Sequence, residues 1–205
     1  KIGADRFYDY VEKFGYLEKT GIDLPSEASS IFHDRKALGV TELATASFGQ
    51  RFKISIIQQI TAVACAANGG KLVTPYLVDR VVDPNGQIVF QHETQVRRRV
   101  ISEETSRLVA ECLEGGVSGD GGAKNAYVPG YKVAAKTGTS QKFDILDENG
   151  NSYLRVGSCV AFAPSDRPEI AVIIVVDEPQ NGIYGSMVAA PYISGFLSKA
   201  LPYLE

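Results

Sequence analysis

A chain of 205 residues, 44% apolar and 22% charged, has enough material for one globular domain with a sizeable core. Its net charge of -3 supplies no basic field, so nucleic acid is not an expected partner. The longest strongly apolar run, residues 170–176, is far shorter than the roughly 20 residues of a membrane-spanning helix. Lys1 is no initiator Met and opens no signal-peptide pattern, so the chain is expected to start inside a larger domain.

Residues 4–14 have helical periodicity, with Phe7, Val11 and Phe14 on one face and Gly15 at the C-terminal stop. Residues 16–32 are loop-like, with Gly21, Pro25 and several serines. Thr41 is placed to cap a short helix that runs through Phe48 and stops at Gly49. Ser55 and Gln58 have capping-box spacing at the head of the clearest helix. Ile56, Ile60, Val63 and Ala67 then form an apolar stripe, and Asn68-Gly69-Gly70 ends it.

Residues 76–82 and 87–90 read as a β-hairpin around the turn Asp83-Pro84-Asn85-Gly86. Ser102 caps a helix to about Leu113, with Glu103 and Glu104 suited to its positive end. Residues 117–125, rich in glycine, read as a loop. Residues 131–139, 153–162 and 169–176 read as three strands in antiparallel order. Residues 189–201 form a closing helix with Ile193, Phe196, Leu197 and Ala200 on one side. The fold class is α+β in one domain portion: a helical part over about 1–115, then sheet and closing helix over about 127–205.

Few isolated residues suggest chemistry. Cys65, Cys112 and Cys159 form no CxxC pair and no His lies at metal-ligand spacing, so no metal or other cofactor is implied. Cys65 and Cys159 read as buried free thiols. His33 and His92 stand singly in polar, turn-like contexts. Asp177 and Glu178 are adjacent on a strand end, where alternation points them to opposite faces and disfavours a shared acid/base role. Arg97-Arg98-Arg99 reads as a solvated basic surface. Residues 119–124 resemble a phosphate loop only loosely and lack GK[ST].

Lys136-Thr137-Gly138-Thr139 is different. It lies in a strand pattern directly after Val133-Ala134-Ala135, and K-T-G is a signature element of penicillin-binding proteins and β-lactamases. The wider stretch from Gly130 to Gln141 resembles the third active-site strand of class B penicillin-binding proteins. Other segments resemble the same family in the same order: Ser47-Phe48-Gly49-Gln50; Ala66-Ala67-Asn68-Gly69-Gly70 with Pro75; Val100-Ile101-Ser102-Glu103-Glu104-Thr105; Val175-Val176-Asp177-Glu178-Pro179; Tyr184-Gly185; and Ala189-Ala190-Pro191. The resemblance covers nearly the whole chain. It implies a monofunctional D,D-transpeptidase that cross-links peptidoglycan stem peptides by serine acyl transfer and binds β-lactams. It also implies an extracytoplasmic site, in a parent anchored to the membrane by a segment outside this chain.

Departures from the family pattern are equally plain. No S-x-x-K and no S-x-N occurs, so the family's nucleophilic serine and its helpers are missing. Arg51 stands where the family usually has glycine, and Ala135 stands where glycine is common before K-T-G. The resemblance implies that substrate lies along the edge of the Lys136 strand. Lys136 would supply positive charge beside the nucleophile, and the Thr137 hydroxyl would bind a carboxylate. Gly138 would allow close approach, and the Thr139 N–H would be one of two oxyanion donors. Half a site of this kind should not catalyse. The N-terminal half of the same domain is the expected partner. Without it the helix over 55–67 and the strands around Val133 and Ile173 would expose apolar faces open to self-association. A β-lactamase or β-lactam sensor and a noncatalytic module of the same fold are the competing readings. The Ala-rich helix and the hairpin before K-T-G argue against a compact β-lactamase.

Overall fold

A computed structural model describes residues 2–142, 145–150 and 152–204. Helix α1 (Ala4–Lys13) is followed by α2 (Val40–Ala46) and α3 (Ile56–Ala67). Four short strands follow: β1 (Lys71–Val73), β2 (Arg80–Val82), β3 (Ile88–Gln91) and β4 (Val96–Arg99). Helix α4 (Glu103–Ser118) leads to the meander β5 (Ala134–Gln141), β6 (Arg155–Ala163) and β7 (Ile170–Asp177). Helices α5 (Gly185–Val188) and α6 (Ala190–Leu204) close the chain. The architecture is the α+β one read from the sequence.

The first helix stops as expected. Gly15 N–H donates to Glu12 O and Tyr16 N–H to Val11 O, the paired bonds of a Schellman cap. In α2 the cap differs from the expectation. Gly39 takes the N-cap position, and Thr41 lies within the helix without capping it. The helix proper ends at Ala46, before Phe48.

The capping box of α3 is present, with Ser55 and Gln58 satisfying each other's backbone N–H. The most buried face is not the aliphatic stripe but Gln58, Thr61, Ala62 and Cys65. Gln58 Nε2 donates to Tyr16 O and Glu18 O, at 3.3 and 2.8 Å, and so fixes the strap after α1. Of the stripe, Val63 and Ala67 pack on the sheet cluster around Phe162, whereas Ile56 is exposed.

The 76–90 hairpin is present but shorter, as β2–β3, with Asp83 Oδ1 accepting the N–H groups of Asn85 and Gln87. A second antiparallel pair, β1–β4, was not anticipated; it closes around the hairpin. Its arginines are fasteners rather than loose surface charge. Arg97 and Arg98 both meet Glu18, and Arg98 also donates to the α1 carbonyls of Lys13 and Glu12. Arg99 donates to Gly69 O and pairs with Glu103.

Helix α4 runs five residues past the expected stop at Leu113, through Gly115 and Gly116. Each glycine there costs ~1 kcal/mol relative to alanine. Burial of Val117 with Ala123 and Ala126 offsets that cost. Ser106 Oγ, buried, joins α4 to the end of α3 by donating to Ala66 O and accepting from Gly69 N–H.

Strands β5, β6 and β7 form an antiparallel sheet in that order. One face carries Val133, Ala135, Cys159, Ala161 and Ala163 against Ile193, Leu197 and Leu201 of α6. Val133 is therefore covered, contrary to the expectation of an exposed face there. On the other face Ala134 and Phe162 meet Ala110 of α4 and Val63 and Ala67 of α3. The seven apolar residues of β7, 170–176, are only partly buried. Phe196 of α6 is also half-exposed, and it lines an apolar groove with Ile170, Ala200, Tyr203 and Leu204. Cys65 and Cys159 are fully buried and Cys112 is exposed.

Gln58→Leu strands Tyr16 O, Glu18 O and the Ser55 N–H together, and should cost about 3 kcal/mol in urea unfolding. Ile56→Ala should cost less than about 1 kcal/mol. Burial pushes the Cys65 and Cys159 thiols up to about 11 from 9.0. Ellman's reagent at pH 8 should therefore modify Cys112 alone in the folded protein, and all three thiols in denaturant. The raised values make the thiol contribution to stability complete below pH 9 and progressively lost as pH rises through about 11, so the thermal midpoint should fall over that interval.

Candidate active site

The K-T-G-T tetrapeptide sits in the middle of β5, and β5 pairs with one neighbour only among the described residues. One bond fixes the phase of that ladder. Lys142 N–H donates to Leu154 O at 3.1 Å, one step beyond the Gln141–Arg155 pair. In an antiparallel pair, the N–H and C=O of one residue point the same way, and successive residues alternate. Lys136, Gly138 and Ser140 therefore address β6. Thr137, Thr139 and Gln141 turn their backbone N–H and C=O to the open edge.

Side chains alternate across the sheet as well. Lys136 lies with Ala134 on the α3–α4 face, exposed at this end of the strand. Thr137 and Thr139 lie with Ala135 on the face of α5 and α6. The Lys136 side chain bends to the edge nonetheless, where Nζ donates to Thr137 O at 2.7 Å. The Lys136 ammonium thus reaches the strand edge to which Thr137 and Thr139 turn their backbone groups.

Thr139 is met from two directions. Its hydroxyl accepts the Gly185 N–H at 3.1 Å, and its carbonyl accepts Gln50 Nε2, also at 3.1 Å. Gly185 can come this close because it has no side chain. A Cβ there would lie 2.1 Å from Ser158 O and 2.3 Å from Gly138 O. Gly138 is similarly confined, since its Cβ would fall 2.6 Å from Ser158 Oγ. Asn125 Nδ2 donates to Ser186 O at 2.7 Å, tying the glycine-rich loop to α5. That loop approaches the strand: a Cβ on Gly122 would lie 3.8 Å from Thr137 Oγ.

Below the strand, Cys159 is the cross-strand partner of Thr137. Its raised thiol is partly offset by the nearby Lys136 charge, and it is buried structure. At the far end of the sheet Lys142 Nζ bonds Asp177 and Glu178, at 3.0 and 2.6 Å. These carboxylates hold its pKa up. The two carboxylates do not diverge as alternation suggests, because Glu178 adopts φ +51 and the strand has ended. Their role is a structural clamp. His92 stacks on Tyr76 at 3.6 Å and His33 sits edge-on to Phe32; each has a buried Nε2 without a hydrogen-bond partner. No group of three or more metal-ligating side chains occurs among the described residues.

Sequence reasoning missed Gln50 and Gly185 as neighbours of Thr139. Both lie in segments that carry the family resemblance, Ser47-Phe48-Gly49-Gln50 and Tyr184-Gly185, and that was the available signal.

Comparison with known proteins matches residues 1–198 to the penicillin binding protein transpeptidase domain. Stage V sporulation protein D of Bacillus subtilis is 37% identical over 206 residues, covering all of this chain and 31% of that protein. The probable peptidoglycan D,D-transpeptidase PenA of Neisseria gonorrhoeae is 28% identical over 205 residues, covering all of this chain and 33% of its own length. Penicillin binding protein 3 of Mycobacterium tuberculosis, solved in complex with aztreonam, superposes with a TM-score of 0.85 at 25% identity, over 98% of this chain and 47% of that one. The chain spans about a third of the length of the curated relatives it matches.

Gly185→Ala forces α5 away from β5 and β6. It should destabilise the protein by about 2 kcal/mol or more in urea unfolding, whereas alanine at Gly195, where a Cβ meets nothing within 4 Å, should not destabilise it.

Proposed function

The chain belongs to the penicillin-binding protein transpeptidase family, and on that premise we propose that it supplies the K-T-G side of a peptidoglycan D,D-transpeptidase site. In that reaction a serine hydroxyl attacks a stem-peptide carbonyl, forming an acyl-enzyme that a second stem peptide then resolves as a cross-link. The observation that carries the reading is the open edge of β5, which offers the backbone of Thr137 and Thr139 to an extended peptide.

Each residue takes a role its position suits. Lys136 brings a positive charge to the edge, beside where the nucleophile would lie, and assists proton transfer. The Thr137 hydroxyl hydrogen-bonds a substrate or β-lactam carboxylate. Gly138 leaves the strand flat against β6, with no room for a side chain over Ser158. The Thr139 N–H, turned outward, is one oxyanion donor. A single such donor contributes ~2.7–4 kcal/mol of transition-state stabilisation.

This chain has no S-x-x-K, so the nucleophile and the second donor must come from elsewhere in the parent protein. We place them in an N-terminal half of the same domain. The partly buried apolar strand β7 and the groove between it and α6 are the surface that half would cover. The substrate is peptidoglycan and the site lies on the extracytoplasmic side of the membrane. No helix among the described residues is long and apolar enough to cross a bilayer, so an anchor would lie in the rest of the parent.

A fluorescent penicillin tests the assignment. The complete domain should form an adduct that survives denaturation, and the isolated 205-residue chain should form none. Lys136→Ala should abolish labelling, and Thr137→Val should slow it about 10- to 100-fold, the range for a hydrogen bond to a charged group. Wild-type labelling rates in both variants, or an adduct on the isolated chain, would sink it.

A further inference from the structure

The two carbonyls that β5 turns outward at the motif are both already bonded by side chains of the same chain. Thr137 O takes Lys136 Nζ at 2.7 Å, and Thr139 O takes Gln50 Nε2 at 3.1 Å. An extended peptide laid along this edge would direct its own N–H groups to these same acceptors, two residues apart. The lysine donor is a flexible stem bonded to its own neighbour. Gln50 comes from a turn 89 positions earlier in the chain, and its carboxamide is chemically a peptide group, imitating what an added strand brings.

The turn that presents Gln50 carries one strained residue. After α2, Gly49 N–H donates to Ala46 O and Gln50 N–H to Thr45 O, the same paired bonds of a Schellman cap that end α1. Gly49 adopts φ +87 and Arg51 φ +66. Glycine takes that conformation freely, but for arginine it is an unfavourable region. Arg51 is exposed, so burial of its side chain does not offset the strain. Strain of this kind persists only where surrounding contacts hold it, and the Gln50 bond to Thr139 is one such contact.

We propose that Gln50 is a placeholder for substrate: its carboxamide caps the Thr139 acceptor until a peptide strand adds to β5, and it must swing out for that strand to bind. The 47–51 turn is then a gate on the peptide-binding edge. While closed it also blunts an edge that could otherwise pair with another chain. The inference rests on the reading of β5 as the peptide-binding edge.

The test uses the protein with its complete transpeptidase domain and a fluorescent penicillin, whose acylamino N–H is a donor of the peptide kind. Stopped-flow measurement separates the dissociation constant of the initial complex from the acylation rate constant. Gln50→Leu and Gln50→Glu both lose the donor, one keeping bulk without polarity and the other keeping shape with a charge. Both should lower the dissociation constant roughly two- to ten-fold, the worth of one neutral hydrogen bond that no longer has to be broken. The acylation rate constant should change by less than about two-fold. A merely supporting role for Gln50 predicts the opposite split, with slower acylation and no tighter binding. An unchanged or raised dissociation constant in both variants, with the wild type labelled normally, overturns the placeholder and leaves the site assignment standing. A wild type that forms no adduct removes the site assignment and the placeholder with it.

Discussion

The hydrogen-bond phase of β5 against β6 governs everything else at this site. Because Lys142 bonds Leu154, residues of even number along the motif are committed to the sheet and those of odd number face outward. A slip of one residue would turn the backbones of Lys136 and Gly138 outward and send Thr139 into the ladder. The register is held at both ends. Lys142 is anchored by Asp177 and Glu178, and Ala134 and Ala135 are packed tightly on opposite faces.

Two close contacts convert that register into a rigid edge. Gly185 rests on the carbonyls of Ser158 and Gly138, and its N–H fixes the Thr139 hydroxyl. Gly138 removes the one side chain that would separate β5 from Ser158. Stiffness of this kind suits a strand that must hold an N–H toward developing negative charge, since preorganised donors need no reorganisation when charge appears. Opposite this wall stands the turn that brings Gln50 to the Thr139 carbonyl.

Much of this could be read from sequence because it follows from short-range rules. The capping box at Ser55, the Asp83-Pro84-Asn85-Gly86 turn and the alternation through Lys136 are set by neighbours within four residues. The motif strand was found through its K-T-G signature and the family resemblance around it. What escaped depends on distance or on trade-offs between competing terms. The Gln50–Thr139 bond spans 89 positions, and no local pattern announces it. Helix α4 continues through Gly115 and Gly116 because Val117 gains burial, a tertiary gain that overrides propensity. Asp177 and Glu178 both reach Lys142 only because one positive φ breaks the alternation. The arginines of β4 look like surface charge until Glu18 and the end of α1 fold against them.

The meander also sets an order of events when the chain folds. Among the described residues, strands β5, β6 and β7 pair only with sequence neighbours, and α6, after the short helix α5, covers one face. Contacts between near neighbours close small loops, and small loops close fast. The edge carrying Lys136 to Thr139 is therefore expected to form early, with its Thr139 carbonyl bare. The turn with Gln50 must then be brought across a far longer stretch of chain. In that interval the nascent sheet presents an unguarded edge, and crowded neighbouring copies of it are the partners nearest to hand.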